Sequence, residues 1–197
     1  MKNICPWCPP DDPLYVAYHD EEWGVPIVDG RLLFEMLNLE GAQAGLSWRT
    51  VLHKQENYRK VFEGFDPQKL ARWPESKIRK ALVNPGIIRN RLKVYGVVKN
   101  AQAVVTHFNG DLGEFSKFLW SFSAGTPVQH RIKTLEEIPS KTAVSDLMSK
   151  ELRRRGFTFV GSTICYAFMQ ATGMVNDHLL SCPRYGPCKT LGKTSRF

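Results

Sequence analysis

The stretch that decides the fold is ALVNPGIIRNRLKV, residues 81–94. Its Pro85-Gly86 pair interrupts a helical pattern and predicts a tight turn. Ile87 and Ile88 follow the turn and are expected to anchor it in the core. A second helical pattern then begins among basic residues. The stretch therefore predicts two helices joined by a short turn.

Apolar residues recur with a period of 3.6 along most of the chain, and alternation with a period of two hardly appears. One predicted helix contains the stripe Leu33, Met36 and Leu37, and it is expected to break at Gly41 and Gly45. A second helix is expected to begin at a Ser47 cap and to continue through Trp48 to Phe62. The predicted fold class is all-α.

The length of 197 residues fits one domain with a sizeable core. We expect a single helical domain over residues 1–183 and a basic, disordered tail over residues 184–197. No apolar run approaches the roughly 18 residues of a membrane span, and the start of the chain has no apolar signal region. The expected protein is therefore a cytoplasmic monomer without a membrane partner.

Basic residues are concentrated around the predicted turn, and the net charge is +8. Residues 69–99 carry nine basic residues and one acid, whereas residues 11–40 carry eight acids and one basic residue. A solvated surface would explain a scattered charge. A cluster beside a glycine turn favours a polyanionic partner.

The turn offers groups suited to phosphate. Gly86 lets backbone N–H groups come close to a phosphate, and Arg89, Arg91 and Lys93 supply positive charge. This pattern resembles the helix-hairpin-helix, which contacts the DNA backbone independently of sequence. A plain connection between two helices is the alternative.

Glu40 continues the apolar stripe of its helix, since it lies three residues after Leu37 and four after Met36. A carboxylate that faces a core is costly unless it is paired. Either Glu40 lies at a frayed helix end and faces water, or it lines a cavity near Trp48. The pattern alone leaves both possibilities open.

Cysteine and histidine residues near the two ends of the chain predict a metal site. His178 and Cys182 are four residues apart and would share one face of a helix. With Cys5 and His19 they would form a Cys₂His₂ zinc site, and with Cys5 and Cys8 a Cys₃His site. Both sets provide four protein ligands, so the zinc would be structural and would hold the N-terminal segment, including Tyr15, Tyr18 and Trp23, in place.

Four long motifs together resemble the type I 3-methyladenine DNA glycosylases, a zinc-containing family of the helix-hairpin-helix glycosylase superfamily. The resemblance covers roughly residues 3–183. The motifs are DPLYVAYHDEEWGVP (12–26), LFEMLNLEGAQAGLSW (33–48), NPGIIRNRLKV (84–94) and RGFTFVGSTICYAFMQATGMVNDH (155–178).

The resemblance implies a role for each matching residue. The family's zinc ligands fall on Cys5, His19, His178 and Cys182. Its base-reading carboxylate matches Glu40, which is the expected catalytic or base-selecting residue. Its base pocket matches Tyr15, Tyr18 and Trp48, with Trp23 close by. The family lacks the catalytic aspartate of other helix-hairpin-helix glycosylases, and no Asp or Glu occurs here between Gly86 and Asp111.

The implied activity is excision of 3-methyladenine from alkylated double-stranded DNA. Methylation at N3 makes adenine cationic, so the base leaves as a neutral molecule and needs little acid catalysis. Two other functions match part of the sequence. The His19-Asp20-Glu21 triplet matches the H-x-E of zinc deaminases, but their P-C-x-x-C motif is missing. A zinc-stapled DNA-binding module without activity would not need Glu40 beside aromatic residues.

Overall fold

The computed structural model describes residues 4–194, which form an all-α protein as predicted. Within this part of the chain, no helix is both long and apolar enough to cross a membrane. The helices are α1 Pro13–Ala17, α2 Gly30–Gln43, α3 Trp48–Leu52, α4 Gln55–Val61, α5 Pro67–Leu70, α6 Glu75–Leu82, α7 Arg91–Phe108, α8 Leu112–Ser121, α9 Ala143–Arg154, α10 Ser162–Ala171 and α11 Tyr185–Thr194. A π-helical turn (Tyr18–Glu22), two 3₁₀ turns (Glu63–Phe65 and Leu135–Glu137) and two short strands, β1 (Val128–Gln129) and β2 (Val175–Asn176), complete the fold.

Helix α2 lies at the centre, where it packs against α3, α7, α8 and α10. All of its residues from 33 to 42 are buried. The predicted break at Gly41 is wrong, because the helix continues to Gln43. Gly41 instead allows a close approach, since a Cβ there would lie 2.9 Å from the Cβ of Phe159. The chain turns at Gly45, whose φ of +75° favours glycine.

The predicted helix from Ser47 to Phe62 is divided into α3 and α4. Its start is confirmed, because Ser47 Oγ accepts a hydrogen bond from the Thr50 backbone N–H at 3.3 Å. The division occurs at His53 and Lys54, where the His53 side chain is hydrogen-bonded to the carboxylate of Asp12, which lies outside the helix. The end of α3 thus coincides with a tertiary contact, which helical periodicity does not reveal.

The helix–turn–helix of residues 81–94 forms as predicted between α6 and α7. Ile87 is buried, and Ile88 is partly buried against the core. Asn90 caps α7 by accepting a hydrogen bond from the Lys93 backbone N–H at 3.1 Å. The two helices and the anchored turn hold the basic segment at the surface.

The prediction of a disordered tail from residue 184 is wrong for residues 185–194, which form α11. This helix packs on the parallel pair β1 and β2, in which Val128 lies opposite Val175. The buried Cys188 and a 3.2 Å hydrogen bond from Asn176 Nδ2 to the Tyr185 carbonyl fix it there. Residues 195–197 lie outside the described part.

Candidate active site

Two tyrosines and a tryptophan come together where α1 meets α3. The ring centroids of Tyr15 and Tyr18 are 6.2 Å apart, and the Tyr18 ring lies 5.2 Å from that of Trp48. Burial raises the pKa of Tyr15 to about 12 and that of Tyr18 well above its usual value. Both phenols are therefore neutral at physiological pH, and their rings form an aromatic wall.

Asp12 connects α1 and α3, the helices that carry Tyr15 and Trp48 of the aromatic wall. Its carboxylate caps α1 by accepting a hydrogen bond from the Tyr15 backbone N–H at 3.3 Å. It also accepts hydrogen bonds from Arg49 Nε at 2.7 Å and His53 Nε2 at 2.8 Å. The hydrogen bond from His53, with those from Tyr15 and Arg49, outweighs burial and lowers the pKa of Asp12. The buried carboxylate thus fixes α1 relative to α3.

The five residues expected at a base pocket, Tyr15, Tyr18, Trp23, Glu40 and Trp48, all line one open pocket of about 440 Å³. Such a volume accommodates a purine base together with part of its sugar. The walls come from α1, α2, α3 and α10 and from the loop before α9. The sequence therefore identified residues that the fold brings together from separate segments.

Glu40 is buried in this pocket, with 4% of its surface exposed. Other buried polar groups of α2 are paired: Glu35 accepts hydrogen bonds from Arg59 at 2.8 Å and Gln55 at 3.1 Å. Glu40 has no hydrogen bond to any residue from 4 to 194. Burial raises its pKa to about 8. The possibility that Glu40 lies at a frayed helix end is excluded, and its position in a cavity is confirmed.

The cluster Cys5, His19, His178 and Cys182 can hold a metal ion, because its ligand atoms all lie within 4.8 Å of one another and all four residues are buried. Three sulfur–nitrogen distances are 3.6 Å: Cys5 Sγ to His178 Nδ1, Cys182 Sγ to His178 Nδ1, and Cys182 Sγ to His19 Nε2. Hydrogen bonds from Cys5 and the two histidines lower the pKa of the Cys182 thiol. This favours the thiolate that metals require.

Of the two ligand sets left open by the sequence, the geometry favours the one without Cys8. The Cys8 thiol points to the Tyr15 carbonyl oxygen at 3.7 Å, and burial raises its pKa to about 11. One expectation fails in detail, because residues 177–182 form no helix: residues 177–179 are irregular and a turn follows at 180–181. Here the Cys182 backbone N–H donates to the Leu179 carbonyl at 2.8 Å.

The cluster of Cys5, His19, His178 and Cys182 lies directly behind the pocket. The His178 ring is 4.6 Å from the Trp23 ring, and His178 Nε2 donates a hydrogen bond to the Trp23 carbonyl at 3.0 Å. The other histidine, His19, bonds to Asp20 through Nδ1 at 2.8 Å. Such contacts fix the ring nitrogen that is left for a metal. They also fix the position of one pocket wall.

The turn between α6 and α7 presents fewer phosphate-binding groups than its sequence suggested. Arg89 and Arg91 are exposed. The Gly86 backbone N–H, however, donates to Asn84 Oδ1 at 2.8 Å. Lys93 Nζ donates to the carbonyl oxygens of residues 42 and 44 at the end of α2, at 2.7 Å each. Gly86 and Lys93 therefore have structural contacts that compete with the phosphate roles expected for them.

Sequence reasoning missed several residues of the pocket. Trp7 packs on Trp23 with ring centroids 4.7 Å apart, and it lies between Cys5 and Cys8. Its place two residues after Cys5, a candidate metal ligand, was a usable signal. No such signal marks the other missed residues, which come from distant segments of the chain: Gln43, Leu135, Ile138, Pro139, Ser140, Ala167 and Gln170.

A helical protein with a basic turn, an aromatic pocket of purine size and a buried carboxyl group in that pocket has the features of a base-excising DNA glycosylase. The particular family follows from the sequence itself. The family model described as methyladenine glycosylase matches residues 7–185, and the chain belongs to this family.

Named relatives agree with this assignment. The chain is 51% identical over 182 residues to DNA-3-methyladenine glycosylase 1 of Escherichia coli strain K12, which covers 92% of this chain and 96% of the relative. A crystal structure of 3-methyladenine DNA glycosylase I matches with a TM-score of 0.87 at 51% identity, covering 91% of this chain and 98% of that one. A structure of 3-methyladenine DNA glycosylase I from Staphylococcus aureus, described as the structural basis of 3-methyladenine recognition, matches with a TM-score of 0.87 at 35% identity. The match covers 92% of this chain and 95% of that one.

Proposed function

We propose that the protein hydrolyses the N-glycosidic bond of 3-methyladenine in alkylated double-stranded DNA, releasing the free base and leaving an abasic site. The observation that carries this proposal is the buried carboxyl group of Glu40, which has no hydrogen-bond partner within residues 4–194 and lies in a pocket walled by aromatic rings. Membership in the methyladenine glycosylase family supports the same reaction.

The aromatic wall selects a cationic base. Methylation at N3 gives adenine a positive charge, and a cation over an electron-rich ring gains about 0.5–2 kcal/mol per good contact. Tyr15, Tyr18 and Trp48 provide such faces. An unmodified base is neutral and gains only stacking. Extrusion from the helix costs a few kcal/mol, and a damaged base is easier to extrude.

Glu40 reads the edge of the base and balances its charge. In the empty pocket its pKa of about 8 keeps the carboxyl group largely protonated at pH 7. A nearby cation favours the ionised form, so entry of the methylated base lowers this pKa and releases a proton. The resulting carboxylate accepts a hydrogen bond from the exocyclic amine, which guanine lacks at that position. Glu40 thus favours adenine over guanine.

Cleavage then needs little further catalysis. Water attacks C1′ of the sugar, and the C1′–N9 bond breaks with its electron pair moving to the base. This pair cancels the positive charge, so the base leaves as neutral 3-methyladenine. The attacking water loses a proton to solvent and becomes the hydroxyl group of the abasic sugar.

The metal in the cluster is proposed to be Zn²⁺. Zn–S bonds of about 2.3 Å and Zn–N bonds of about 2.05 Å at the tetrahedral angle separate sulfur and nitrogen by about 3.6 Å. The cluster of Cys5, His19, His178 and Cys182 has this spacing. Four protein ligands leave no site for water, so the ion has a structural role: it joins the N-terminal segment to residues 178–182.

The basic turn is proposed to hold the DNA backbone. Arg89 and Arg91 are exposed on it and provide charges for phosphate contacts that do not depend on sequence. The start of α7, a helix of 18 residues, adds the positive end of a helix dipole. A monomer is sufficient for this arrangement, because pocket and turn belong to one chain.

The test is release of free base from N-methylated duplex DNA, identified by mass. Wild-type protein is expected to release 3-methyladenine, and Glu40→Gln is expected to release it at least tenfold more slowly. Glu35→Gln is the matched control, because it makes the same change on the same helix outside the pocket. It should retain the rate at a temperature where it is folded.

The outcomes separate the alternatives. No release by folded, metal-loaded wild-type protein that still binds DNA would support a binding module without activity. Unchanged release by Glu40→Gln would leave the glycosylase in place and remove the role of Glu40. Release of 3-methylguanine as readily as 3-methyladenine would contradict the proposed reading of the amine.

A further inference from the structure

Gln170 is a pocket residue whose side-chain amide is held in one orientation. It lies three residues after Ala167 on α10, and both residues line the pocket. Its carbonyl oxygen accepts a hydrogen bond from the Gly24 backbone N–H at 3.1 Å, beside Trp23. Its side-chain Nε2 donates to Asp177 Oδ2 at 2.8 Å. Backbone and side chain are therefore both fixed.

The contacts of Asp177 decide which way the amide points. Asp177 is fully buried, and the same Oδ2 accepts a hydrogen bond from the Tyr166 hydroxyl at 2.7 Å. Its other oxygen, Oδ1, is 2.6 Å from His130 Nδ1. A carboxylate only accepts hydrogen bonds, so the amide nitrogen of Gln170 must face Asp177. The amide oxygen, Oε1, then faces away from Asp177, and it has no hydrogen bond from residues 4–194.

We infer that Gln170 Oε1 is a second acceptor for the exocyclic amine of the bound base, and that Asp177 is its positioning residue. This inference rests on the proposed function and deepens it. When N3 is methylated and N9 carries the sugar, the amine at C6 provides the only N–H donors of the base. The amine has two hydrogens, and Glu40 and Gln170 are two acceptors that line the same pocket.

Gln170 Oε1 also disfavours binding of purines that carry an oxygen at C6. A purine with an oxygen at C6 would place that oxygen against Gln170 Oε1, and two acceptors in contact repel each other. Because Asp177 holds the nitrogen, the amide cannot rotate to offer N–H without losing its hydrogen bond to the buried Asp177 carboxylate. Gln170 is therefore a specificity-determining residue for 6-amino over 6-oxo purines.

The test measures binding of two free bases, 3-methyladenine and 3-methylhypoxanthine, by quenching of the pocket tryptophans in metal-loaded protein. Gln170→Met removes the acceptor at nearly constant volume, and Gln170→Ala provides a second variant if the first does not fold. Tyr166→Phe is the control, since it removes another hydrogen bond from the same Asp177 oxygen and leaves Gln170 intact.

We expect the ratio of the two dissociation constants to change in favour of 3-methylhypoxanthine by about fivefold in the Gln170 variants, as for one neutral hydrogen bond. Tyr166→Phe should keep the wild-type ratio. An unchanged ratio in the Gln170 variants overturns the inference, even if both bases bind more weakly, because a purely structural role affects both equally. Wild-type protein that neither binds nor releases 3-methyladenine would instead refute the proposed function.

Discussion

Replacing Glu40 with Gln should stabilise the protein while impairing its function. Glu40 is buried, and burial raises its pKa from 4.5 to about 8. The folded protein therefore keeps the Glu40 proton at pH 7, whereas the unfolded chain releases it. Gln has nearly the same shape and carries no proton to release. The variant removes a group whose burial opposes folding at neutral pH.

The size of the effect follows from the two pKa values. Below about pH 4.5 both states are protonated, and Glu40 adds no penalty. Between pH 4.5 and 8 only the unfolded state ionises, so the stability falls as the pH rises. At pH 7 the accumulated penalty is about 3 kcal/mol. For a chain of this length, that corresponds to an increase in Tm of about 6–12 °C in Glu40→Gln.

The assay is thermal unfolding of metal-loaded protein at several pH values from 5 to 8. Other groups titrate in this range, so the informative quantity is the difference between wild type and variant. The difference should be small at pH 5 and should grow towards pH 8. Glu35→Gln is the control with the opposite sign, because it weakens the ion pair with Arg59 and should lower Tm. Equal Tm values for wild type and Glu40→Gln throughout the range would refute the reasoning.

Four further outcomes are expected. Cys5→Ser should lower the zinc content, measured by atomic emission, below one ion per chain, whereas Cys8→Ser should retain one ion; the reverse result would restore the ligand set that contains Cys8. Arg89→Ala should weaken binding to undamaged duplex DNA and reduce the slope of log K against log salt by about 0.9 if it contacts one phosphate. Lys93→Met should leave that slope unchanged and lower Tm, since Lys93 binds carbonyl groups at the end of α2. Asp12→Asn should weaken binding of 3-methyladenine, measured by tryptophan quenching, with no loss of helical circular dichroism.

The sequence predicted those parts of the site that depend on local patterns. The position of Glu40 on an apolar stripe gave a cavity as one of two possibilities, and the structure confirms that one, since Glu40 is buried and lines the pocket. The turn after α6 followed from Pro85-Gly86 and the two isoleucines. In both cases the relevant residues lie within one or two helical turns, where spacing determines which side chains share a face.

Contacts between distant segments limited the prediction. Lys93 looks like a surface cation in its own helix, but its ammonium group ends at carbonyl oxygens about fifty residues earlier in the chain. Gln170 lies only seven residues before Asp177, but α10 ends between them at Ala171, so helical spacing does not predict their contact. Residues 185–194 looked like a polar tail because the strand pair on which α11 packs is not visible as a pattern.

The pocket combines groups that oppose folding with contacts that compensate for them. Glu40 is buried without a partner from residues 4–194, and the indole N–H of Trp48 is likewise buried without one. An unpaired buried polar group typically costs about 1–3 kcal/mol. The elements that carry these groups are held by the contacts of Asp12 and by the Cys₂His₂ cluster behind Trp23. Because these contacts lie outside the pocket, they can stabilise its walls. The carboxyl group of Glu40 and the aromatic faces remain free to contact a cationic base.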